Sequence, residues 1–216
     1  MAPSYIRQLP TMLLKFFSVA LLVASCVSQK GVKRPGFAEQ FPETCTGKER
    51  DINYSRIMLS LFALVNQARH SIATGKTVQD VQKSGKPRLM YGVRYSCGLE
   101  VNASTLLEAG ETVLPPYVVL SFNSTQDSSL SGKIVDVFRQ MKKDSSARTM
   151  LTSPYVPYFG CAHSYKPSQP LRMLCVFKSD AEENPSGHNR PCSNNEDCKK
   201  YQGSTCSNQL CWVPSA

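Results

Sequence analysis

Leu64-Val65-Asn66-Gln67-Ala68-Arg69-His70-Ser71-Ile72-Ala73-Thr74-Gly75 is the stretch that decides the fold of this 216-residue chain. It closes a segment in which apolar residues recur at steps of three and four: Ile57, Leu61, Phe62, Val65, Ala68 and Ile72. That spacing places the apolar side chains on one face of a helix. Gly75 stands where a C-cap glycine belongs. The sequence therefore predicts a long amphipathic helix that covers a core.

The segments after this helix mix helical and strand patterns without a regular βαβ alternation. Two further helices are predicted from apolar stripes, the first at Leu99, Ala103, Leu106 and Leu107 and the second at Leu130, Ile134, Val135, Phe138 and Met141. Strands are predicted at 117–122, 158–163 and 171–177, the last two as a pair, while 145–157 is predicted to be irregular. Such a mixture indicates an α+β class with stacked layers.

The first 28 residues have the layout of a secretory signal peptide. Arg7 and Lys15 come before an apolar run at 16–24, and the small residues Ser25 and Ser28 follow it. The run is about half of the roughly 20 residues that a membrane span needs, and no later stretch approaches that length. We expect cleavage near Ser28 and a secreted, extracellular protein with no transmembrane segment.

The cysteine count bears on the same question, because residues 23–26 also resemble a bacterial lipoprotein box with lipid on Cys26. The chain has nine cysteines, and loss of Cys26 leaves an even set: Cys45, Cys97, Cys161, Cys175, Cys192, Cys198, Cys206 and Cys211. An even set in a secreted chain indicates disulfides, which favours the cleaved signal over the lipoprotein.

Two groups of these cysteines can be paired from their positions. Cys161 and Cys175 lie on adjacent predicted strands and are expected to form a disulfide. The last four allow three pairings, of which we favour the crossed one, Cys192–Cys206 with Cys198–Cys211. Each bridge is expected to contribute about 2–4 kcal/mol.

Surface chemistry adds glycosylation sites and a positive charge. Asn53, Asn102 and Asn123 each begin an Asn-x-Ser/Thr acceptor. The formal net charge of +9 falls to +7 when Arg7 and Lys15 leave with the signal. Such a surface suits sulfated glycans or anionic membranes, although solubility is the simpler interpretation. The basic residues are scattered and accompany no nucleic-acid motif, so no nucleic-acid partner is expected.

Four segments, in the same order, resemble the signatures of the CAP superfamily, which holds cysteine-rich secretory proteins, insect antigen 5 and plant pathogenesis-related proteins. Residues 64–75 resemble its pattern L-H-N-x-x-R-S-x-x-A-x-G, and residues 89–100 resemble M-x-W-x-x-x-x-C-x-L-E. Residues 159–161 and 173–177 resemble the late G-C and V-V-C-x-Y strands. The tail spacing, Cys192-x5-Cys198-x7-Cys206-x4-Cys211, is similar to extensions of nematode ancylostoma-secreted, venom-allergen-like proteins.

The resemblance implies a three-layer α-β-α sandwich over 45–178 and a disulfide between Cys45 and Cys97. It also locates possible metal ligands, since many members hold two histidines and two glutamates in a cleft. The family histidine falls here on Ala147 and a glutamate falls near Met141, which binds hard cations poorly. The second helix ends too early for the other histidine, and only Glu111 echoes the remaining glutamate. We therefore expect no metal and no other cofactor.

The remaining reactive side chains form no recognisable catalytic constellation. None of His70, His163 and His188 has ligand spacing. His70 lies at a helix end, where the dipole favours it, and His163, which follows Cys161 on a strand, could lie near a cleft mouth, although ligand contact there is the weaker interpretation. The sequence has no G-x-S-x-G elbow. Trp212 is expected to pack against a disulfide, the alternative being an exposed binding anchor. No catalytic residue is predicted, so the chain is expected not to be an enzyme.

Together these features predict a signal peptide at 1–28, an extended N-terminal arm at 29–44, a CAP-like domain at 45–178 and a cysteine-rich tail at 179–216. The leading hypothesis is a secreted, non-enzymatic binding protein, by resemblance a parasite effector that acts on a host protein or response. Its extracellular protein partner and its binding residues are not specified by the sequence. The alternative is a lipid or sterol carrier with residues 113–120 along a groove instead of in the sheet core. A metal hydrolase and a protease-inhibitor tail are weaker alternatives.

Overall fold

The structure is a computed structural model that describes Cys45 and residues 52–78, 85–109, 117–124, 129–178 and 189–214. These residues belong to one compact unit, 35–216. The predicted signal peptide and N-terminal arm, with Cys26, lie outside the described residues, and so do Gly110, Glu111 and His188.

Helices and strands follow one another in a mixed order. The helices are α1 (Ile52–Ala73), α2 (Cys97–Ala109), α3 (Leu130–Lys143) and α4 (Ser145–Thr152). The strands are β1 (Arg94–Tyr95), β2 (Tyr117–Asn123), β3 (Tyr158–Ser164), β4 (Arg172–Lys178), β5 (Thr205–Ser207) and β6 (Leu210–Trp212). The helix predicted from residues 57–72 is confirmed, and Gly75 has the positive φ of +74° that a C-cap glycine uses.

The domain has three layers around one four-stranded sheet of order β1-β3-β4-β2. β4 runs antiparallel to both β2 and β3, whereas the two-residue β1 runs parallel to β3. Helix α2 packs against β3 and β4 on one face, and α1, α3 and α4 pack together on the other. The α-β-α sandwich is thus confirmed. Among the described helices, none is long and apolar enough to cross a bilayer.

Each face of the sheet has its own hydrophobic core. On the α1 side, the rings of Phe62, Phe159 and Phe177 stack in series, with centroids 6.2 and 5.5 Å apart. On the other side α2 lies very close to β3. A Cβ atom on Gly160 would collide with the backbone of Leu99 and Glu100, so the glycine in this strand permits the close approach of the helix.

Arg69, near the end of α1, is a fully buried cation. Its Nε donates to the carbonyl of Tyr91 at 2.8 Å, and Nη1 donates to Met150 at 2.8 Å. Nη2 donates to Ser153 at 2.8 Å, and longer contacts reach Leu151 and Pro154. Burial, and to a lesser extent the charge of Arg88, lower the pKa of Arg69 to about 9, so the guanidinium stays protonated at neutral pH. Its charge is met by carbonyl dipoles, including those at the C-terminus of α4.

Asn66, one turn earlier, fixes the segment that leads into β1. Its side chain acts like a strand neighbour of Val93: Oδ1 accepts from the Val93 N–H at 2.8 Å, and Nδ2 donates to the Val93 carbonyl at 3.0 Å. Asn66 and Arg69 therefore join three segments that are far apart in sequence, and both belong to the stretch at 64–75.

The prediction that residues 145–157 are irregular is wrong, because α4 occupies the first part of this region. Asp144 caps the helix by accepting from the Ala147 N–H at 2.8 Å. Ala147, Met150 and Leu151 form its buried face. At the other end of α4, Arg69 donates to the carbonyls of Met150 and Leu151. The local sequence of α4 gives no sign of this contact.

We predict that Arg69→Lys lowers the free energy of unfolding by about 2–4 kcal/mol, because a lysine cannot reach the same fan of buried carbonyls. Urea denaturation measures the change. Arg139→Lys is the matched control. Arg139 is an exposed residue of α3 that pairs with Asp136 at 3.1 Å, and this substitution should lower the free energy of unfolding by less than about 0.5 kcal/mol. Equal costs for both variants would contradict the role given to Arg69.

Candidate functional site

The tail at 189–214 joins the domain through main-chain hydrogen bonds. The N–H of Cys211 donates to the Met90 carbonyl at 2.9 Å, and the N–H of Gly92 donates to the Cys211 carbonyl at 2.7 Å, which forms a parallel bridge between Tyr91 and Cys211. Nearby, Arg94 Nε donates to the Val213 carbonyl. The tail is therefore anchored on the segment just before β1.

Trp212 is the side chain that closes this contact. It is fully buried and belongs to the main core cluster. Its ring lies against Gly92, where a Cβ atom would collide with it, and its Nε1 donates to the Ser207 carbonyl at 3.0 Å. The alternative of Trp212 as an exposed binding anchor is wrong.

Tyr91 lies at the centre of the contact between tail and domain. Its buried hydroxyl accepts from the Lys200 N–H at 3.0 Å. The ring of Tyr201 meets it edge-on at 4.9 Å, and that of Tyr155 lies 6.2 Å away. Burial is the main cause that raises the pKa of Tyr91, which keeps the phenol protonated. Lys200 Nζ in turn lies 5.3 Å above the Tyr155 ring.

Two crossed disulfides hold the tail together. Cys192 is bonded to Cys206 and Cys198 to Cys211, the crossed arrangement. The sulfurs of Cys192, Cys198 and Cys211 lie within 4.8 Å of one another. Since all three belong to disulfides, they lack the thiolate that zinc binds, and the cluster is a covalent crossing instead of a metal site.

Asp197 stabilises the loop between these bridges. One of its carboxylate oxygens accepts from the N–H of Ser193 at 2.8 Å and from the Ser193 hydroxyl at 3.0 Å. The other oxygen pairs with Arg190 at 3.1 Å. These hydrogen bonds, first those from Ser193, lower the pKa of Asp197 to about 2.

The domain also contains a buried polar cluster that the sequence analysis did not assemble. The hydroxyl of Tyr95 donates to Glu100 Oε2 at 2.6 Å and accepts from the Cys161 N–H at 3.4 Å. Tyr54 completes the cluster on the α1 side, with its ring 5.2 Å from that of half-buried His163. Tyr54, Tyr95 and Glu100 are all nearly buried. The L-E of the motif at 89–100 was the one sequence signal for Glu100.

In this cluster the hydroxyl groups of Tyr95 and Tyr54 are hydrogen-bonded to the carboxyl group of Glu100. Burial first, and the neighbouring Glu100 next, raise the pKa of Tyr95 well above its usual value. Burial also leads the causes that raise the pKa of Tyr54, followed by its hydrogen bond with Glu100. Both phenols are therefore protonated at neutral pH.

The positions where the resemblance places metal ligands do not fit a metal. Ala147 and Met141 are both fully buried within the main hydrophobic cluster. They offer no oxygen or nitrogen ligand to a divalent cation, and Glu111 lies outside the described residues. Of the histidines, His70 Nε2 lies 3.2 Å from Gln209 Oε1 in the tail, whereas His163 lies beside Tyr54.

The remaining predicted site residues are distributed as follows. Cys45 is bonded to Cys97 at the start of α2, and Cys161 is bonded to Cys175 between paired positions of β3 and β4. Asn53 at the start of α1, Asn102 on α2 and Asn123 at the end of β2 are all exposed. The structure does not bring the three asparagines into one site; they remain predicted glycosylation sites.

Comparison with known proteins identifies the fold. No family model matches the sequence, and no curated protein matches it. Solved structures do match. The Ancylostoma-secreted protein Ac-ASP-7 is 24% identical with a TM-score of 0.61, over 80% of this chain and 95% of that one. Manganese-bound Ac-ASP-7 has a TM-score of 0.62 at 24% identity, over 82% of this chain and 97% of that one. BmVAL-1 gives 0.54 at 15% identity, over 80% of this chain and 100% of that one.

These similarities confirm, at the level of the fold, the resemblance read from the four motifs. The chain has a divergent form of the CAP fold seen in Ac-ASP-7 and BmVAL-1. Four disulfides cross-link its described residues.

We predict that Tyr95→Phe lowers the free energy of unfolding by about 1–3 kcal/mol, because buried Glu100 then loses its 2.6 Å hydrogen bond from the Tyr95 hydroxyl. Chemical denaturation at pH 7 measures the loss. Tyr117→Phe removes the hydroxyl of a half-buried tyrosine on β2 and should change stability by less than about 0.5 kcal/mol. A Tyr95→Phe variant as stable as the Tyr117→Phe control would contradict the cluster.

We also predict a pH-dependent contribution from Asp197. Because its folded pKa of about 2 lies below the unfolded value of about 3.9, the stabilisation is complete above the unfolded value and is lost as the pH falls towards 2. Asp197→Asn should lower the thermal midpoint at pH 7, and this difference from the wild type should shrink between pH 4 and pH 2. Glu196→Gln, in the same turn but exposed, should show no such trend; a constant deficit for Asp197→Asn at every pH would refute the linkage.

Proposed function

We propose that this chain with the CAP fold is exported and acts outside the cell as a non-enzymatic binding protein. The observation that carries the proposal is the pairing of the eight cysteines after Cys26 into four disulfides. Such bonds form and persist in oxidising compartments. The signal-peptide pattern at 1–28 and the three exposed acceptor asparagines support the same route.

A binding role is favoured over catalysis by the chemistry of the described residues. The central polar cluster holds protonated phenols around Glu100, and Ala147 and Met141 make the family's metal positions apolar. We propose that the chain binds a partner through its surface without transforming it.

The kind of organism and partner is proposed from the fold neighbours. Ac-ASP-7 is named as an Ancylostoma-secreted protein, and this chain spans most of its length. We propose a parasite-associated role in which the partner is an extracellular host protein or a component of a host response.

The lipid or sterol carrier receives no specific support. The described part of the stretch proposed to line a groove, Tyr117–Leu120, packs inward on both faces of the sheet. Tyr117 and Val119 lie against the α2 cluster, while Val118 and Leu120 lie against the main cluster. Leu120 is buried and the other three are half-buried against the two clusters, so they form no open groove and the protein-binding function is retained as the proposal.

Expression in a eukaryotic secretory host tests export. The expected result is accumulation in the medium with the N-terminus near residue 29 and no thiol that alkylates before reduction, measured by intact mass spectrometry. Alkylation after reduction should add eight groups. Retention in the cell, or several free thiols in the folded protein, would contradict the proposal.

Binding is tested with the purified secreted protein on a panel of extracellular host proteins, with the reduced and alkylated chain as the control that lacks the fold. We expect saturable binding to at least one protein by the native chain alone. Elemental analysis and a panel of ester and peptide substrates accompany it. Stoichiometric metal with turnover, or capture of lipid alone by native mass spectrometry, would overturn the proposed function.

A further inference from the structure

One row of side chains crosses the whole sheet and combines residues that lie far apart in sequence. Tyr117 of β2 is the register partner of Lys178 of β4, which is the partner of Tyr158 of β3, which is the partner of Arg94 of β1. Register partners on adjacent strands share a face of the sheet. The four residues therefore form a line in which tyrosine and cation alternate, and we call it the cation–tyrosine row.

The row lies on the same face as α2, at the end of the sheet where β3 begins and β4 ends. Leu174 and Val176 of β4 pack against the α2 cluster, and Lys178 has the same parity along the strand. Tyr117 and Tyr158 pack at the margin of that cluster and are only half-buried. Lys178 is exposed and Arg94 is half-buried, so the row presents both rings and charges at the surface.

The tail fixes one end of the row. Arg94 Nε donates to the Val213 carbonyl, and the Tyr158 hydroxyl lies 3.5 Å from the Pro214 carbonyl. Since the guanidinium has five N–H donors, one bond to the tail orients it and leaves other donors available. Exposed Lys200, beside Tyr155 in the same aromatic group as Tyr158, extends the positive charge past this end.

The charges of the row are not neutralised by neighbouring carboxylates in the described structure. The two described ion pairs are Arg139–Asp136 and Arg190–Asp197, and neither involves a cation of the row. The formal charge is +7 once Arg7 and Lys15 leave with the signal, so this end of the sheet suits an anionic ligand.

We propose that the cation–tyrosine row, extended by Lys200, binds a sulfated polysaccharide. Lys178 and Arg94 lie two strands apart, about 10 Å at the spacing of a β-ladder, which suits repeated charges along a linear chain. Lysine and arginine form charge-assisted hydrogen bonds with sulfate oxygens. Tyr158, between the two cations, and Tyr117, at the end of the row, offer flat surfaces for sugar rings. The inference rests on the proposed export, because such polysaccharides are extracellular.

A sulfated polysaccharide fits this surface better than an anionic membrane does. A protein that inserts into a bilayer interface presents large apolar side chains beside its cations. In the described part of the chain, the exposed large hydrophobic residues are Val101 and Val135, and neither belongs to the row.

The test measures binding of the secreted protein to immobilised heparin at fixed salt. Lys178→Gln with Lys200→Gln should raise the Kd about five- to tenfold, as expected for the loss of two exposed ionic contacts. The control, Lys143→Gln with Lys166→Gln, removes the same charge from exposed sites on α3 and on the β3–β4 loop at the opposite end of the sheet, and should change the Kd less than twofold. Equal thermal midpoints for the two double variants establish that folding is not the cause.

Two further arms separate the possible explanations. Tyr117→Leu keeps the packing and the charge and should weaken heparin binding by at least twofold, and desulfated heparin should bind much more weakly to the wild type. The inference is overturned by equal losses in both lysine variants, by no heparin binding, or by stronger binding to phosphatidylserine vesicles than to heparin. If the secreted protein does not bind heparin but still binds a host protein, the proposal for the cation–tyrosine row is refuted and the proposed function is retained.

Discussion

A single buried guanidinium sets the geometry of the domain. Arg69 extends from the last turns of α1 and donates to carbonyls in the segment before β1, in the last turn of α4 and in the loop that leads to β3. The bonds to Tyr91 and Met150 are buried, where an unmade hydrogen bond is costly. Arg69 therefore connects α1 to the segment before β1, to the end of α4 and to the loop that leads to β3.

Other contacts hold the elements that Arg69 connects. Asn66 holds Val93 as a neighbouring strand would, and Gly160 lets α2 approach β3 closely enough to bury Glu100. The disulfides Cys45–Cys97 and Cys161–Cys175 act on these same elements, one at the start of α2 and one across β3 and β4. Polar side chains and cross-links thus hold the same elements together that the apolar core packs.

Whether a structural feature could be predicted from the sequence depended on how far apart along the chain the residues that cause it lie. The long helix, α2, α3 and the paired strands β3 and β4 were visible because their apolar residues recur locally. Helix α4 was missed because its eight residues depend on Asp144 and on Arg69, which is about eighty residues earlier. The cluster of Tyr54, Tyr95, Glu100 and His163 and the row from Tyr117 to Arg94 arise only from strand register and packing. Their members occur singly in the sequence, where each one looks ordinary.

The bridge between Tyr91 and Cys211 affects more than the tail. Strand β1 is at the margin of the sheet and is only two residues long, and a bare margin of this kind is a template on which other chains can add strands. By bonding to the backbone immediately before β1, the tail occupies main-chain groups that would otherwise face solvent. The cross-linked tail thereby shortens the stretch of bare backbone at this margin on which a second chain could pair.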